Sequence, residues 1–197
     1  MSLRNCCTVA GISMLLAALP LRADQAADHP FYGGFALGFA SADSNCDYYG
    51  YNCDGTDTTF KIYAGKQLHR NLAVELAFHD LGKIRNEGFS ESTTAETQGI
   101  NLSLLGIIPV SEFGFFYGKA GYMAWNADYT RNSGSGSSSR SDEDGSDFTY
   151  GAGFAFTFSP DYDFRIEFER LNDLGDDFVP GGAPIEVLYF AGSIKFY

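Results

Sequence analysis

The chain has 197 residues, room for one barrel or sandwich domain behind a removable leader and too few for two domains. Its formal charge of −12 makes it a poor ligand for a phosphate backbone, so nucleic-acid binding is excluded. No apolar run approaches the ~20 residues of a membrane-spanning helix, while 16% aromatic residues and 23 glycines point to closely spaced strands.

The N-terminus reads as an exported leader. Arg4 supplies a positive start, Thr8 to Leu19 a short apolar stretch, and Leu21-Arg22-Ala23 a small-residue exit. A signal peptide over 1–23 is therefore expected, followed by one β-barrel domain over 24–197 with strands from about residue 31. Beyond the leader the only cysteines are Cys46 and Cys53, in a Gly/Asp/Tyr-rich stretch. A close pair in an exported chain favours a disulfide closing a surface loop, and without neighbouring histidines it favours that over a metal site.

From Phe31 onward the dominant period is two. Phe164, Ile166 and Phe168 alternate with Arg165, Glu167 and Glu169, a separation that no helix makes. Leu72, Val74, Leu76 and Phe78 alternate with Ala73, Glu75, Ala77 and His79, and Phe154 and Phe156 with Gly153 and Ala155. Eight such segments follow in order: about 31–40, 58–66, 72–81, 97–108, 113–125, 148–158, 164–171 and 185–197. Most approach the ~9 to 11 residues of a tilted membrane strand. Their connections alternate between short (67–71, 109–112, 159–163) and long (41–57, 82–96, 126–147, 172–184). The expected fold is all-β: an eight-stranded, antiparallel, up-and-down transmembrane β-barrel.

The composition of the two faces selects the solvent. A soluble ligand-binding barrel would line its cavity with apolar residues and turn polar ones to water. Here Leu72, Val74, Leu76, Phe78, Phe154, Phe156, Phe164, Ile166 and Phe168 share faces without charge, which only lipid explains. The other faces mix small residues with Lys61, Glu75, Lys119, Arg165, Glu167 and Glu169, expected to pair as an interior charge network. Most of the acidic excess lies in the four long connections. The third, with its run Ser133 to Ser141, is expected to be mobile because nothing in it can bury apolar surface.

Thr59 to Gly82 (TFKIYAGKQLHRNLAVELAFHDLG) and Tyr150 to Arg170 (YGAGFAFTFSPDYDFRIEFER) resemble the OmpA-like transmembrane β-barrel family. The resemblance implies an outer-membrane barrel with a largely closed interior of paired charges, and carries Glu75, Lys119, Arg165 and Glu167 to interior positions. The sequence stops at the eighth strand, so the wall-binding domain of longer family members is not expected and neither is wall attachment. Family members end in an aromatic residue read by the barrel-assembly machinery, and Phe196 or Tyr197 is expected to serve here.

His79-Asp80 is the one His/carboxylate doublet on a strand. It offers an alternative function, a lipid A or phospholipid-modifying barrel enzyme using His79, but no spacing supplies a nucleophile. A rim residue bonded to Glu75 or water is the simpler expectation. Asp142-Glu143-Asp144-Gly145 lacks EF-hand spacing and reads as solvated. The expectation is thus a non-enzymatic, monomeric outer-membrane protein without cofactor or metal. Its partners are membrane lipids, lipopolysaccharide and the assembly machinery, and its acidic loops, with Tyr48, Tyr49 and Tyr51 in the first, leave an extracellular ligand open.

Overall fold

The computed structural model describes residues 30–42, 52–54, 56–87, 91–133, 138–172 and 184–196. Met1–Ala23, Cys46, the tyrosines of the first connection and Tyr197 lie outside the described residues, and with them the expectations placed there. Among the described residues, nine strands form one sheet: β1 (Phe31–Ala42), β2 (Asn52–Asp54), β3 (Thr56–His69), β4 (Leu72–Glu87), β5 (Glu91–Ser111), β6 (Gly114–Ser133), β7 (Ser138–Ser159), β8 (Tyr162–Leu171) and β9 (Ile185–Phe196). Every pairing is antiparallel; apart from the short β2, each strand pairs with the next one in the chain, and β1 joins β9, from Phe31 opposite Phe196 to Ala42 opposite Ile185. Together with the β4–β5 pairing this closes an eight-stranded barrel, and β2 is a three-residue piece laid against the far end of β4. There is no helix among the described residues.

Closure assigns each residue to a face. Tyr32, Ala36 and Ala40 of β1, Lys61 and Tyr63 of β3, and Val187, Tyr189 and Ala191 of β9 are buried inside, while Phe35, Leu37, Phe39, Ile62, Leu188 and Phe190 stand outside. Four of the five buried tyrosines face a glycine on the adjacent strand: Tyr32 pairs with Gly65, Tyr63 with Gly34, Tyr117 with Gly153 and Tyr189 with Gly38. The ring lies flat over the neighbouring backbone, in space that any side chain would fill. A Cβ at Gly153 would meet the Tyr117 ring at 2.5 Å, and one at Gly38 would meet Tyr189 at 2.7 Å. The small-to-large alternation is how eight strands enclose large polar side chains without a void.

At one end the hairpins turn tightly, at Arg70-Asn71, Glu112-Phe113 and Pro160-Asp161. Each carries a register shift just before the turn, at Gln67/His69, Pro109/Ser111 and Thr157/Ser159. Ser111 and Ser159 repeat one device: the hydroxyl accepts the backbone N–H two residues ahead, at 3.2 and 3.3 Å.

The other end departs from the sequence expectation. The third connection, expected as a mobile loop over 126–147, is mostly strand: β6 and β7 pair without a break from Gly114–Phe156 to Asn132–Ser138. The second is likewise strand to Glu87 and again from Glu91. The reason is physical continuity. Ladder hydrogen bonds formed in the barrel continue outward at little added entropic cost, and Ala127 and Tyr129 still bury a face together with Trp125. The outward face changes character at the facing pair Tyr122–Phe148: below it are Phe116, Phe154 and Phe156, above it Asn126, Asp128, Asp142 and Asp144. At 22 residues, β7 runs roughly 70 Å along its axis, far more than an outward apolar band of about 25 Å needs.

Gly65→Ala, placing a methyl group against the Tyr32 ring, should destabilise the barrel by about 1–3 kcal/mol through overpacking. Gly192→Ala, whose Cβ would meet nothing within 4 Å, should be near neutral. Urea unfolding in detergent micelles compares the two.

Candidate functional site

The interior of the barrel is where the chemistry is concentrated. β8 projects Asp163, Arg165, Glu167 and Glu169 inward at alternate positions, β3 contributes Lys61, β4 Glu75 and His79, and β6 Lys119, all of them buried. Lys61 Nζ donates to Glu167 and, at 2.7 Å, to Glu169. Lys119 Nζ reaches Glu169 at 2.6 Å and both Glu75 and Glu167 at 3.3 Å. Arg165 Nη1 donates to Glu75 at 3.0 Å. The six residues expected as interior charges thus lie in one connected cluster of three cations and three carboxylates.

Several participants escaped the sequence reading. Tyr117 donates to Glu167 at 2.5 Å and Tyr32 to Glu75 at 3.2 Å. Arg165 lies over the Tyr32 and Tyr63 rings at 4.7 and 5.0 Å, and Lys61 over Tyr189 at 4.5 Å. Towards the turn end, Asp163 accepts from Lys195 at 2.9 Å and from Thr157 at 2.8 Å. Their signal was available: these tyrosines and Asp163 share strand parity with the charged residues. Above the charges the filling becomes neutral, with Asn101 donating to Thr149 at 3.0 Å and the apolar Leu81, Met123, Leu171 and Ile185 beyond.

His79 is not a rim residue. It is completely buried, and Nδ1 bonds the Tyr189 hydroxyl at 3.1 Å rather than Glu75. Nε2 has no hydrogen-bond partner and lies 3.9 Å from Glu169 Oε2, which also lacks one. Its inward parity, opposite Lys61 across β3–β4, places it there. The nearby Thr59 hydroxyl already bonds Tyr189 and the Asp80 carbonyl, so it is not held by the ring as a nucleophile.

The nine apolar residues expected on the outside do lie on the outward faces. Leu76, Phe78, Phe156, Ile166 and Phe168 are exposed, and Leu72, Val74, Phe154 and Phe164 are half-buried among their neighbours. Phe196 points outward beside Phe31. Cys53 sits in β2, its backbone opposite Asn86, but its expected partner Cys46 is outside the described residues.

An apolar outer wall around a polar, ion-paired bore defines a transmembrane barrel of the bacterial outer membrane. The sequence matches the OmpA-like transmembrane domain over residues 26–191, and the chain belongs to that family. No curated protein matches the sequence. Among solved structures it is similar to Neisserial surface protein A, with 17% identity, 84% of this chain and 97% of that chain covered, and a TM-score of 0.57. It is also similar to Ail, the attachment invasion locus protein of Yersinia pestis, with 15% identity, 85% and 97% coverage and a TM-score of 0.53. A second Ail structure, in complex with the heparin analogue sucrose octasulfate, gives 14% identity, 85% and 99% coverage and a TM-score of 0.51. At these identities the likeness is one of fold.

Burying ions costs several kcal/mol each, and partners recover it only while every charge is matched. Glu75→Gln and Arg165→Gln should therefore each cost about 3–5 kcal/mol, with the double variant costing well below the sum. Lys83→Ala, which breaks an exposed pair with Glu96, should cost at most about 1 kcal/mol. Unfolding in micelles by a double-mutant cycle measures the coupling, and additive effects would refute it.

Proposed function

We propose that this protein is a non-enzymatic, monomeric anchor of the outer membrane. Its bore is closed by matched charges, and its extended hairpins carry an acidic surface into the external medium. The observation that carries this reading is the pairing of a filled bore with a wall that outruns the membrane. A neutral six-charge cluster with tyrosines packed around it fills the bore among the described residues, so conductance should be small. The outward-facing leucine, isoleucine and phenylalanine side chains meet acyl chains, and Tyr122 and Phe148 lie at the outer headgroup level. Phe196 fits the role of assembly signal.

The charge of the extension indicates the class of ligand. Glu96, Asp128 and Asp142 sit directly opposite one another across β5, β6 and β7, and all three are exposed. Like charges in facing positions destabilise a sheet, and here Lys83, 2.5 Å from Glu96, offsets part of that cost. Such a surface repels a polysulfated ligand of the kind captured with Ail and favours a cationic one. The His79 enzyme reading finds no support in the geometry: the ring is sealed in the bore, away from lipid. His79→Ala should leave the lipid A profile unchanged by mass spectrometry.

Two experiments test the anchor reading. Ser139→Cys should react with a membrane-impermeant maleimide on intact cells, and labelling only after lysis would overturn the orientation. Ile166→Arg, on the lipid face, should cost up to about 2–4 kcal/mol near the midplane and block insertion, while Asp144→Arg on the extension should insert normally. Heat-modifiable migration on gels reads both, and equal folding yields would refute the assignment of faces.

A further inference from the structure

Outside the central ion cluster, Lys83 pairs with Glu96, Arg170 with Glu186 and Lys195 with Asp163. Lys66 has no carboxylate partner among the described residues, and it stands exposed on the outward face of β3, where the wall meets lipid. Both flanking strands are described at this level, so the ladder fixes its neighbours. Phe31 of β1 lies opposite it on one side and Val74 of β4 on the other. Ala64 and Leu68 hold the outward positions before and after it on β3. All four are apolar, and Leu68, itself exposed, lies nearer the turn than the lysine does.

An ammonium among apolar side chains on a lipid-facing wall must reach water or an anion, with its methylene stem laid along the wall. Lys66 Nζ lies 4.6 Å from the centre of the Phe31 ring. The ring holds the charge against the wall but accepts none of its three protons as an oxygen would. One step along the wall towards the bilayer centre, the outward positions are small: Gly33 and Ala64 lie in register. The Phe196 ring lies 3.8 Å from where a Cβ on Gly33 would stand, and Leu76 is opposite Ala64 on β4. The low step is thus bordered by Phe196 on one side and Leu76 on the other. At the turn beyond Leu68, Arg70 adds a second exposed cation. A cation at the head of an apolar hollow suits an amphiphile with its anion at the border and its chain in the membrane.

From the unpaired ammonium, the apolar residues around it and the low step beside it, we propose that Lys66 binds the phosphate of an anionic glycerophospholipid. The lipid's acyl chain runs over Gly33 and Ala64. The inference rests on the orientation proposed above, which sets the short turns in the glycerophospholipid leaflet, and names the lipid partner of that end of the wall. The phosphodiester offers charged oxygen acceptors to Nζ. A headgroup of net negative charge, such as glycerol phosphate, is favoured over an ethanolamine headgroup, whose own ammonium offsets the attraction. Free phosphate gains nothing from the apolar hollow and is disfavoured as the occupant.

The full-length protein in nonionic micelles is titrated with phosphatidylglycerol, and bound lipids are counted by native mass spectrometry. Lys66→Gln should weaken retention of the first lipid about fivefold, the share of one lysine at an anionic surface. Lys66→Arg should restore it, and Lys83→Ala, at the other end of the barrel, should bind like the parent. Diacylglycerol with the same chains should not be retained, and inorganic phosphate at the lipid's concentration should not compete. Heat-modifiable migration verifies that each variant is folded. Equal retention by the parent and Lys66→Gln, equal retention of diacylglycerol, or displacement by inorganic phosphate would overturn the proposal. If Ser139→Cys is labelled on intact cells and Lys66→Gln still binds equally, the lipid inference falls and the anchor reading stands. Labelling only after lysis removes both, because Lys66 would then face the other leaflet.

Discussion

Charge matching in a bore filled by side chains is the constraint on which the rest depends. Eight strands enclose a bore only wide enough to be filled by side chains, and this one holds Lys61, Lys119, Arg165, Glu75, Glu167 and Glu169, all buried. Lipid lies outside, so none of these charges can escape by turning outward. Each must find its partner across the bore, and the pairs join residues 44 to 108 positions apart in sequence. Such pairs form only when the barrel has closed in the correct register. The cluster thus checks the register as well as filling the bore, because a shift by one residue would leave ions facing hydrocarbon.

Tyrosine solves a second part of the same problem. Six ions leave lone pairs and donors that the counterions alone do not satisfy, and methyl-bearing side chains would satisfy none. Tyr32 and Tyr117 each bring a hydroxyl to a carboxylate, and the flat rings cover the cations. Room for those rings comes from glycines on the adjoining strands, which explains why a chain so rich in aromatic residues is also rich in glycine. The unpartnered Nε2 of His79 and Oε2 of Glu169 mark where this satisfaction is incomplete.

The barrel was legible in the sequence because lipid enforces a two-residue period that few other environments produce. The alternation in Phe164 to Glu169 alone separated outside from inside, and inward parity of the charged residues was enough to place all six in one space. Less was legible where no such enforcement acts. The extension of β6 and β7 was hidden because Ser133 to Ser141 has the composition of a disordered linker, and backbone pairing is inherited from the barrel below rather than encoded by side chains. His79 was misplaced because it lies close to the end of the expected strand. In the structure β4 continues past it to Glu87, and its parity, shared with Glu75, is the better guide.

Membrane and medium divide the work along the same strands. Below Tyr122 and Phe148 the wall has almost no freedom, since lipid dictates one face and the ion cluster the other. Above them the ladder alone suffices, and side chains are released for other uses. Facing carboxylates at Glu96, Asp128 and Asp142 would be a cost without return in a barrel selected only for stability. They are tolerated because the register beneath is already locked by buried ion pairs. The stability concentrated in the bore is what allows the extension to keep an acidic face.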